Sequence, residues 1–188
     1  MEKTPLYEQH VNLGGKIVEF AGWALPVQYS SILKEHDHVR NHAGLFDVSH
    51  MGEIFIEGSN AGNFIQNLVT NDISNMKEEK VIYSPMCYAN GGTVDDVLIY
   101  KFSDSKYLLV VNASNTEKDY QWMLKNSKDN VTIINVSSNY AQLSIQGPKS
   151  INILSHLTAF PLETVKPFRF KEKVNISGVE VLLSRTGY

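Results

Sequence analysis

The fold is decided by the stretch Tyr83-Ser-Pro-Met-Cys-Tyr-Ala-Asn-Gly-Gly-Thr-Val-Asp-Asp-Val-Leu-Ile-Tyr100, which continues to Leu108-Leu-Val-Val-Asn112. Asn90-Gly91-Gly92 is typical of a tight hairpin turn, because such turns need residues that accept a positive φ. The runs on either side are rich in Val, Ile, Tyr and Leu, which favour strands. The pattern therefore predicts strands at roughly 81–89, 94–102 and 107–112.

Two adjacent carboxylates begin the second of these strands. Alternate residues of a strand face opposite sides, so Asp96 shares a face with Val94, Leu98 and Tyr100, and Asp95 shares the other with Val97 and Ile99. Both faces are otherwise apolar, and burial raises the pKa of a carboxyl unless donors stabilise its anion. One Asp is thus a candidate acid, base or polar anchor. Alternatively, one caps the hairpin backbone and the other faces water at a sheet edge.

The segments around this hairpin predict a compact α+β unit. A strand at 53–56 leads to a helix that Ser59 or Asn60 caps and that runs to about Val69. A second helix opens at Ser114 or Asn115, with Tyr120, Met123 and Leu124 directed inward, and a strand follows at 131–136. From Met51 the order is strand, helix, three strands, helix, strand. This order is close to a ferredoxin-like split βαβ unit with an added hairpin strand, in a largely antiparallel sheet.

The flanking segments form the rest of the predicted architecture. Thr4 as N-cap and Pro5 at the first helical position predict a short N-terminal helix, followed by a strand at 16–21, a loop with large aromatic residues at 22–29 and a helix from Ser31 to about Asn41. Later segments predict a strand at 141–146, a helix at 149–157 and a hairpin at 174–185. We expect 1–50 to pack with 138–188 as one incomplete subdomain beside a ferredoxin-like subdomain at 51–137.

Composition limits the classes of function. The chain has 188 residues, 43% hydrophobic and 20% charged, which is ordinary for a globular protein. A net charge of −3 gives no basic footprint for nucleic acid, and Cys87 is the single cysteine. The sequence shows no apolar run near the ~20 residues that span a bilayer and no signal-peptide core. We therefore expect a cytoplasmic protein with no nucleic-acid or membrane partner.

Two clusters of reactive residue types are weaker candidates. His36, His38 and His42 share one predicted helix, but the helix lacks the Glu of a His-Glu-x-x-His motif, so we expect no metal site. The segment from Asp47 to His50 contains Asp, Ser and His, yet neighbours on a strand point apart and a hydrolytic triad is assembled from separate elements. By contrast, tyrosines beside Asp96 are either packing residues or the walls of a flat aromatic slot with one polar anchor.

Eight collinear motifs resemble the aminomethyltransferase, or T-protein, family of the glycine cleavage system. The motifs are Thr4-Pro-Leu-Tyr7, Phe20-Ala-Gly-Trp23, Gly44-Leu-Phe-Asp-Val-Ser-His-Met51, Asn90-Gly-Gly-Thr-Val-Asp-Asp96, Val110-Val-Asn-Ala113, Glu117-Lys-Asp119, Gln146-Gly-Pro148 and Arg185-Thr-Gly-Tyr188. Less closely, the chain resembles the folate domains of dimethylglycine and sarcosine dehydrogenases and an iron–sulfur assembly factor of the same superfamily.

The resemblance implies a reaction and a set of site residues. It implies transfer of the methylene carbon from an aminomethyl group on the lipoylated H-protein to tetrahydrofolate, with release of ammonia. It assigns the catalytic carboxylate to Asp96. It places seven residues in or beside the folate pocket: Tyr83, Asn112 and Tyr188, with Met51, Leu98, Tyr100 and Val110 as neighbours. Catalysis would then depend mainly on positioning and charge.

The resemblance also implies that a second half is absent. Full-length relatives continue after Thr-Gly-Tyr into a Thr-Gly-Glu segment, an arginine-bearing segment and a C-terminal barrel domain. This sequence stops directly after a predicted strand, and a natural domain seldom ends on a bare edge strand, so we expect a truncated N-terminal half. The exposed edge predicts dimerisation or strand swapping. A folate-binding module without turnover, or a related member of the superfamily, stays open as the alternative function.

Overall fold

The computed structural model describes residues 1–127 and 130–187 of the chain. Its regular elements alternate between strands and helices, and we number each kind in chain order. The strands are β1 (Ile17–Phe20), β2 (Trp23–Pro26), β3 (Gly44–Asp47), β4 (Gly52–Glu57), β5 (Val81–Cys87), β6 (Thr93–Ser103), β7 (Lys106–Val111), β8 (Thr132–Asn135), β9 (Leu143–Gln146), β10 (Arg169–Ile176) and β11 (Val179–Arg185). The helices are α1 (Tyr7–Asn12), α2 (Ile32–Asn41), α3 (Ala61–Gln66), α4 (Thr116–Asn126) and α5 (Ser150–Ser155).

The chain forms two compact units. Unit 1 comprises residues 1–50, 141–164 and 175–180, and unit 2 comprises 51–140, 165–174 and the residues from Val181 onward. The sequence-based grouping placed 138–188 with 1–50; in the structure, residues 141–164 and 175–180 lie in unit 1, and residues 165–174 and those from Val181 onward lie in unit 2. The physical reason is Phe170, which is fully buried in one apolar cluster with Tyr100 and Leu108 of the unit 2 sheet.

Unit 2 is built on a five-stranded antiparallel sheet. Its strand order is β5-β6-β7-β4-β8, and every neighbouring pair is antiparallel. Without β5, the order β6-β7-β4-β8 is that of a split βαβ unit, in which α3 and α4 are the two crossover helices. Strand β5 is the added hairpin strand, so the predicted α+β fold with largely antiparallel sheets is confirmed.

Both faces of this sheet are apolar, which explains the nearly continuous hydrophobic runs of β6 and β7. One face packs against α3 and α4 through residues such as Ile65 and Met123, which lie in one buried cluster with Ile99 and Leu109. The other face carries a second buried cluster that includes Tyr100 and Val110. A half-exposed sheet would alternate apolar and polar residues, so burial on two sides accounts for the pattern.

The β5–β6 hairpin follows the prediction except at one residue. Gly91 has φ 86°, and the Asn90 side chain accepts a 3.0 Å hydrogen bond from the Gly92 N–H. The pairing register shifts between Met86 and Cys87, opposite Val94. This β-bulge moves Val94 to the helical face of the sheet, so the expectation that it shares a face with Asp96 is wrong.

Several helix predictions need correction. Thr4 does not cap α1; its hydroxyl donates to Asp47 Oδ2 at 2.6 Å, and the helix begins at Tyr7. Helix α3 ends at Gln66 rather than near Val69. On α4, Leu124 is 38% exposed, while Asp119 is fully buried in its place. The segment predicted as a loop at 22–29 contains β2, because it pairs with β1 in a two-stranded hairpin.

Unit 1 is held by a polar centre at Asp47. Asp47 Oδ2 accepts hydrogen bonds from Thr4 and, at 2.8 Å, lies beside His10 Nε2, while His10 Nδ1 lies 2.7 Å from the Tyr29 hydroxyl. Burial alone would raise the pKa of Asp47, but hydrogen bonds from Ser49, Thr4 and His10 outweigh it and lower the pKa. These contacts tie Asp47 to Thr4, His10 and Ser49 within unit 1.

We predict that the sheet core dominates the stability of unit 2. Leu109 lies at the centre of β7 and is fully buried, so Leu109→Ala should lower the free energy of unfolding by about 3 kcal/mol through lost burial and an unfilled cavity. Leu33 is 80% exposed, and Leu33→Ala is the matched control with an expected change below about 0.5 kcal/mol. Urea unfolding followed by circular dichroism measures both. Equal effects of the two substitutions would contradict this account of the core.

Candidate functional site

One row of side chains crosses the sheet of unit 2 on the face opposite α3 and α4. Tyr83 pairs with Leu98, Leu98 pairs with Val110, and Val110 pairs with Glu53. Directly paired residues of a sheet share a face, and neighbouring strands lie ~4.8 Å apart. The row is therefore a flat strip about four strands wide. The structure thus brings together three of the residues assigned to the folate pocket from the sequence.

The other assigned residues lie around this strip or outside the described part of the chain. Asp96 and Tyr100 flank Leu98 on the same strand face, and Met51 packs against the same apolar cluster. Tyr83 is 51% exposed, whereas Tyr100 is only 3% exposed and its hydroxyl lies 3.2 Å from Ser184 Oγ. Burial is the main reason why the pKa of Tyr100 is raised. Tyr188 falls outside the described residues.

Asp96 and Asn112 meet at one end of the strip. Asp96 is exposed, and its Oδ1 accepts a 3.4 Å hydrogen bond from Asn112 Nδ2, which also donates to the Asp96 main-chain oxygen at 3.3 Å. The assigned catalytic carboxylate and the assigned pocket amide are therefore in contact. An exposed carboxyl group beside an apolar strip can accept a hydrogen bond or a proton from a bound molecule.

Asp95 has the opposite environment. It is 5% exposed, and its Oδ1 accepts hydrogen bonds from Asn112 Nδ2 at 2.9 Å and Asn115 Nδ2 at 3.1 Å, while its Oδ2 accepts one from the Asn112 main-chain N–H at 3.2 Å. Burial alone would raise its pKa, but hydrogen bonds from Asp119, Asn112, Asn115 and the Asp96 N–H together lower it. Asp95 is thus a buried, stabilised anion.

Asp119 completes what we call the Asp95 cluster, comprising Asp95, Asn112, Asn115 and Asp119. Asp119 is fully buried. If its carboxyl group were ionised, both oxygens would be acceptors, and neither would have a hydrogen-bond donor among the described residues. Its carboxyl group lies within hydrogen-bonding reach of the Asp95 carboxyl group. Two carboxyl groups form a hydrogen bond only if one of them carries a proton. Burial, the hydrogen bond to Asp95 and the charge of Asp95 raise the pKa of Asp119 to about 8. Asp119 is therefore the protonated partner.

Glu53 is a buried acid on the same strip that sequence reasoning missed. It is 3% exposed, and its Oε2 has no hydrogen-bond partner among residues 1–127 and 130–187. Burial raises its pKa to about 7. The sequence signal was available: on a strand with alternating faces, Glu53 lies in phase with Phe55, which packs against the buried cluster of that face. Glu53 was missed because Gly52-Glu53 resembles the exposed, polar start of a strand.

The described residues offer little support for a metal or a closed pocket elsewhere. Within them, His, Cys, Asp and Glu form no group of three or more that could hold a metal ion. His38 of α2 and His42, directly after the end of α2, stack with their ring centroids 4.8 Å apart. Two hollows share Asn67, Leu68 and Asn126 on the helical side of unit 2, away from the face that carries Asp96. No helix among the described residues is long and apolar enough to cross a membrane.

The fold and this face define a split-βαβ α+β domain with a flat apolar strip and a carboxylate at its end. The family model described as the GCVT N-terminal domain matches residues 6–188, and the chain belongs to that family. The first motif, Thr4-Pro-Leu-Tyr7, begins just ahead of the matched range.

Individual relatives agree with this family. The chain is 56% identical to an aminomethyltransferase of Halalkalibacterium halodurans and 57% identical to one of Caldanaerobacter subterraneus, in each case over the whole chain. It covers 52% and 50% of those proteins, so it spans about half the length of the curated relatives it matches.

Solved structures agree in fold. Glycine cleavage system aminomethyltransferase T from Bartonella henselae superposes with a TM-score of 0.85 and 32% identity, over 91% of this chain and 47% of that one. Heterotetrameric sarcosine oxidase from Corynebacterium sp. U-96 superposes with a TM-score of 0.62 and 13% identity, over 99% of this chain and 82% of that one. The second likeness concerns the fold alone.

We predict that Glu53 makes stability fall with pH. Below pH 4.5 the carboxyl is protonated in the folded and unfolded states alike, whereas between pH 4.5 and about 7 only the unfolded chain ionises, so the folded state loses stability as pH rises. Integrated over this window, the loss is about 3 kcal/mol and stays constant at higher pH. Glu53→Gln should remove this loss. The free energy of unfolding of the variant, relative to that of the wild type, should therefore rise progressively from pH 4.5 to 7.

Urea unfolding at a series of pH values measures this difference. Glu57→Gln is the matched control, because it removes a half-exposed carboxyl from the same strand. A wild-type and a Glu53→Gln stability curve that run parallel from pH 4.5 to 7 would contradict the assignment of a buried, neutral Glu53.

Proposed function

We propose that this chain is the tetrahydrofolate-facing part of an aminomethyltransferase of the glycine cleavage system. The observation that carries the proposal is the contact of Asp96 with Asn112 at the end of a strip formed by Tyr83, Leu98 and Val110. Family membership and curated relatives with that activity support the same conclusion. The strip would receive the pterin ring, and Asp96 would lie at the reacting end.

The residues present suit a reduced folate. A pterin is a flat heteroaromatic ring, which needs apolar surface on its faces and hydrogen-bonding groups at its edge. Leu98 and Val110 provide the surface, and the half-exposed Tyr83 provides an aromatic wall. Asp96 provides an acceptor, and the donors of Asn112 Nδ2 are already directed toward Asp95 and Asp96. We infer that folate edge N–H groups would find acceptors here.

The proposed reaction balances without an oxidant. The lipoyl arm of the H-protein carries a sulfur–CH2–NH2 group; its C–S and C–N bonds break, two C–N bonds form to tetrahydrofolate, and a thiol and ammonia leave. The folate supplies the two accepting nitrogens. The protein's part is to hold the acceptor in one orientation, exclude water through the apolar strip, and let Asp96 hold or release a proton at its carboxylate.

A second candidate is a folate-binding module without turnover. The observation that favours it is that the strip, Asp96 and Asn112 all lie on one sheet of unit 2, so a flat ligand could bind there whether or not a reaction follows. Binding and turnover are separate measurements, so the two candidates are distinguishable. Turnover would also require docking of the lipoylated H-protein, and we propose that protein as the partner of the complete enzyme.

We predict that Asp96 contributes to folate binding. Titration of the complete gene product with 5-formyltetrahydrofolate by calorimetry should give saturable binding, and Asp96→Asn should weaken it about tenfold, because one charge-assisted hydrogen bond is lost. Asp37→Asn removes an exposed carboxylate of α2 and is the matched control with unchanged affinity. Identical affinities for wild type and Asp96→Asn would argue against the assigned role.

The same preparations separate the two candidate functions. Methylene transfer from the aminomethylated H-protein, followed by the appearance of 5,10-methylenetetrahydrofolate, should occur with the wild type and fall by at least two orders of magnitude in Asp96→Asn, as expected for loss of a proton-transferring group. Binding of folate without any methylene transfer by the complete gene product would favour the module over the enzyme.

A further inference from the structure

The Asp95 cluster contains a fully buried acid, Asp119, to which the proposed reaction gives no role. Asp119 belongs to the Glu117-Lys118-Asp119 motif at the start of α4, and it lies behind Asp95, away from the strip. A buried carboxyl is costly unless it is paired, so its presence beside a second buried carboxyl requires an explanation. The explanation lies in what Asp95 does to Asn112.

Asp95 fixes the orientation of the Asn112 side chain. Its two oxygens accept from the main-chain N–H and from Nδ2 of Asn112, at 3.2 and 2.9 Å. If the amide were flipped, its oxygen would point at the carboxylates of Asp95 and Asp96, where acceptor would oppose acceptor. The contacts therefore hold Nδ2 toward the two carboxylates and leave Oδ1 of Asn112 as the atom available to a ligand donor.

We propose that Asp119 is a positioning residue, which holds a proton against Asp95 and thereby keeps the Asn112 carboxamide locked with its oxygen presented beside Asp96 to a hydrogen-bond donor of the folate. The proposal rests on the proposed function for the identity of the ligand. In chemical terms, the end of the strip presents two neighbouring hydrogen-bond acceptors, Asn112 Oδ1 and the Asp96 carboxylate. This end therefore selects the edge of the folate ring that carries hydrogen-bond donors.

The charges around Asp119 explain why the proton matters. Among the described residues, Asp95 on β6 and Lys118 on α4 are the charged groups that act on it, and the Lys118 ammonium lies 3.7 Å from Asp119 Oδ1. The Lys118 ammonium also donates to the Val94 main-chain oxygen, so it is divided between two acceptors. Once Asp119 ionises, two carboxylates face each other in a buried site, and their repulsion separates Asp95 from its partners.

Two substitutions at one position separate the donor from the packing. Asp119→Asn keeps a donor toward Asp95 but has no carboxyl proton to lose, so it should retain a locked Asn112 at every pH. Asp119→Leu keeps the volume and removes the donor, so it should release Asn112. Because Asp119→Leu leaves the buried Asp95 without one donor, we expect it to lose stability; Asp119→Asn keeps the donor and tests the proposal even if Asp119→Leu does not fold.

The first measurement needs no ligand. In the complete gene product with 15N-labelled asparagine, protection of the Asn112 side-chain NH2 against hydrogen exchange, measured relative to a free asparagine amide at the same pH, should be high below pH 8 and fall as pH rises through about 8 in the wild type. This protection should stay high across that range in Asp119→Asn and be low throughout in Asp119→Leu. Exchange that is the same in wild type and Asp119→Leu would overturn the positioning role.

The second measurement tests the ligand. Calorimetry with 5-formyltetrahydrofolate should give wild-type affinity for Asp119→Asn at pH 7, no loss of its affinity across pH 8, and about tenfold weaker binding by Asp119→Leu, as for one lost hydrogen bond. Normal affinity of Asp119→Leu would overturn the proposal while leaving the proposed function intact. Absence of binding by the wild type would overturn the proposed function, whereas the exchange measurement would still decide whether Asp119 positions Asn112.

Discussion

The site depends on a carboxylate buried inside a sheet. Asp95 lies in β6 between two apolar clusters, where an unpaired anion would cost several kcal/mol. Its oxygens are instead satisfied by Asn112, Asn115 and Asp119, which come from the segment that follows β7. The anion therefore joins the end of the hairpin to the beginning of α4. Loss of any one donor would leave acceptor capacity unsatisfied in a place that water does not reach.

This constraint explains why the two carboxylates of the pair have different roles. The main chain of β6 places Asp95 and Asp96 on opposite faces, and the bulge at Val94 shifts the register just before them. Asp95 consequently receives donors from Asn112, Asn115 and Asp119. Asp96 shares the Asn112 amide with it and stays exposed at the end of the strip. The sequence left two interpretations open: one Asp as an acid, base or polar anchor among apolar residues, or one Asp capping the hairpin and the other facing water. In the structure Asp95 is a buried anchor and Asp96 is exposed, while the side chain that accepts from the hairpin turn is that of Asn90.

Much of the fold of unit 2 was predictable because its signals are local. The Asn90-Gly91-Gly92 turn and the apolar strands beside it identify a hairpin, and the order of elements from Met51 indicates the split βαβ unit. The segment from Gly22 to Tyr29 was harder to predict. It contains strand β2 because it pairs with β1, and the sequence of the segment alone does not indicate this pairing.

The site was predictable only in part, for the same reason. Alternation placed Asp96 with Leu98 and Tyr100, and the family resemblance supplied Tyr83 and Asn112. Neither could show that Tyr100 is buried by Phe170, which is about 70 residues away in the chain, or that Asp119 replaces Leu124 on the inner side of α4. A polar residue on the buried side of a helix contradicts the helical pattern unless its partner is known.

The conflict at Asp119 is itself informative about how such a site is built. Local pattern favours an apolar residue there, but an apolar residue would leave Asp95 without one of its donors, so the acid conflicts with the helical pattern and matches the needs of the sheet. What it provides is a single proton between two buried oxygens, which keeps one carboxylate anionic without adding a second charge. The Asn112 amide then has one stable orientation rather than two, and the acceptor beside Asp96 is fixed before any ligand arrives.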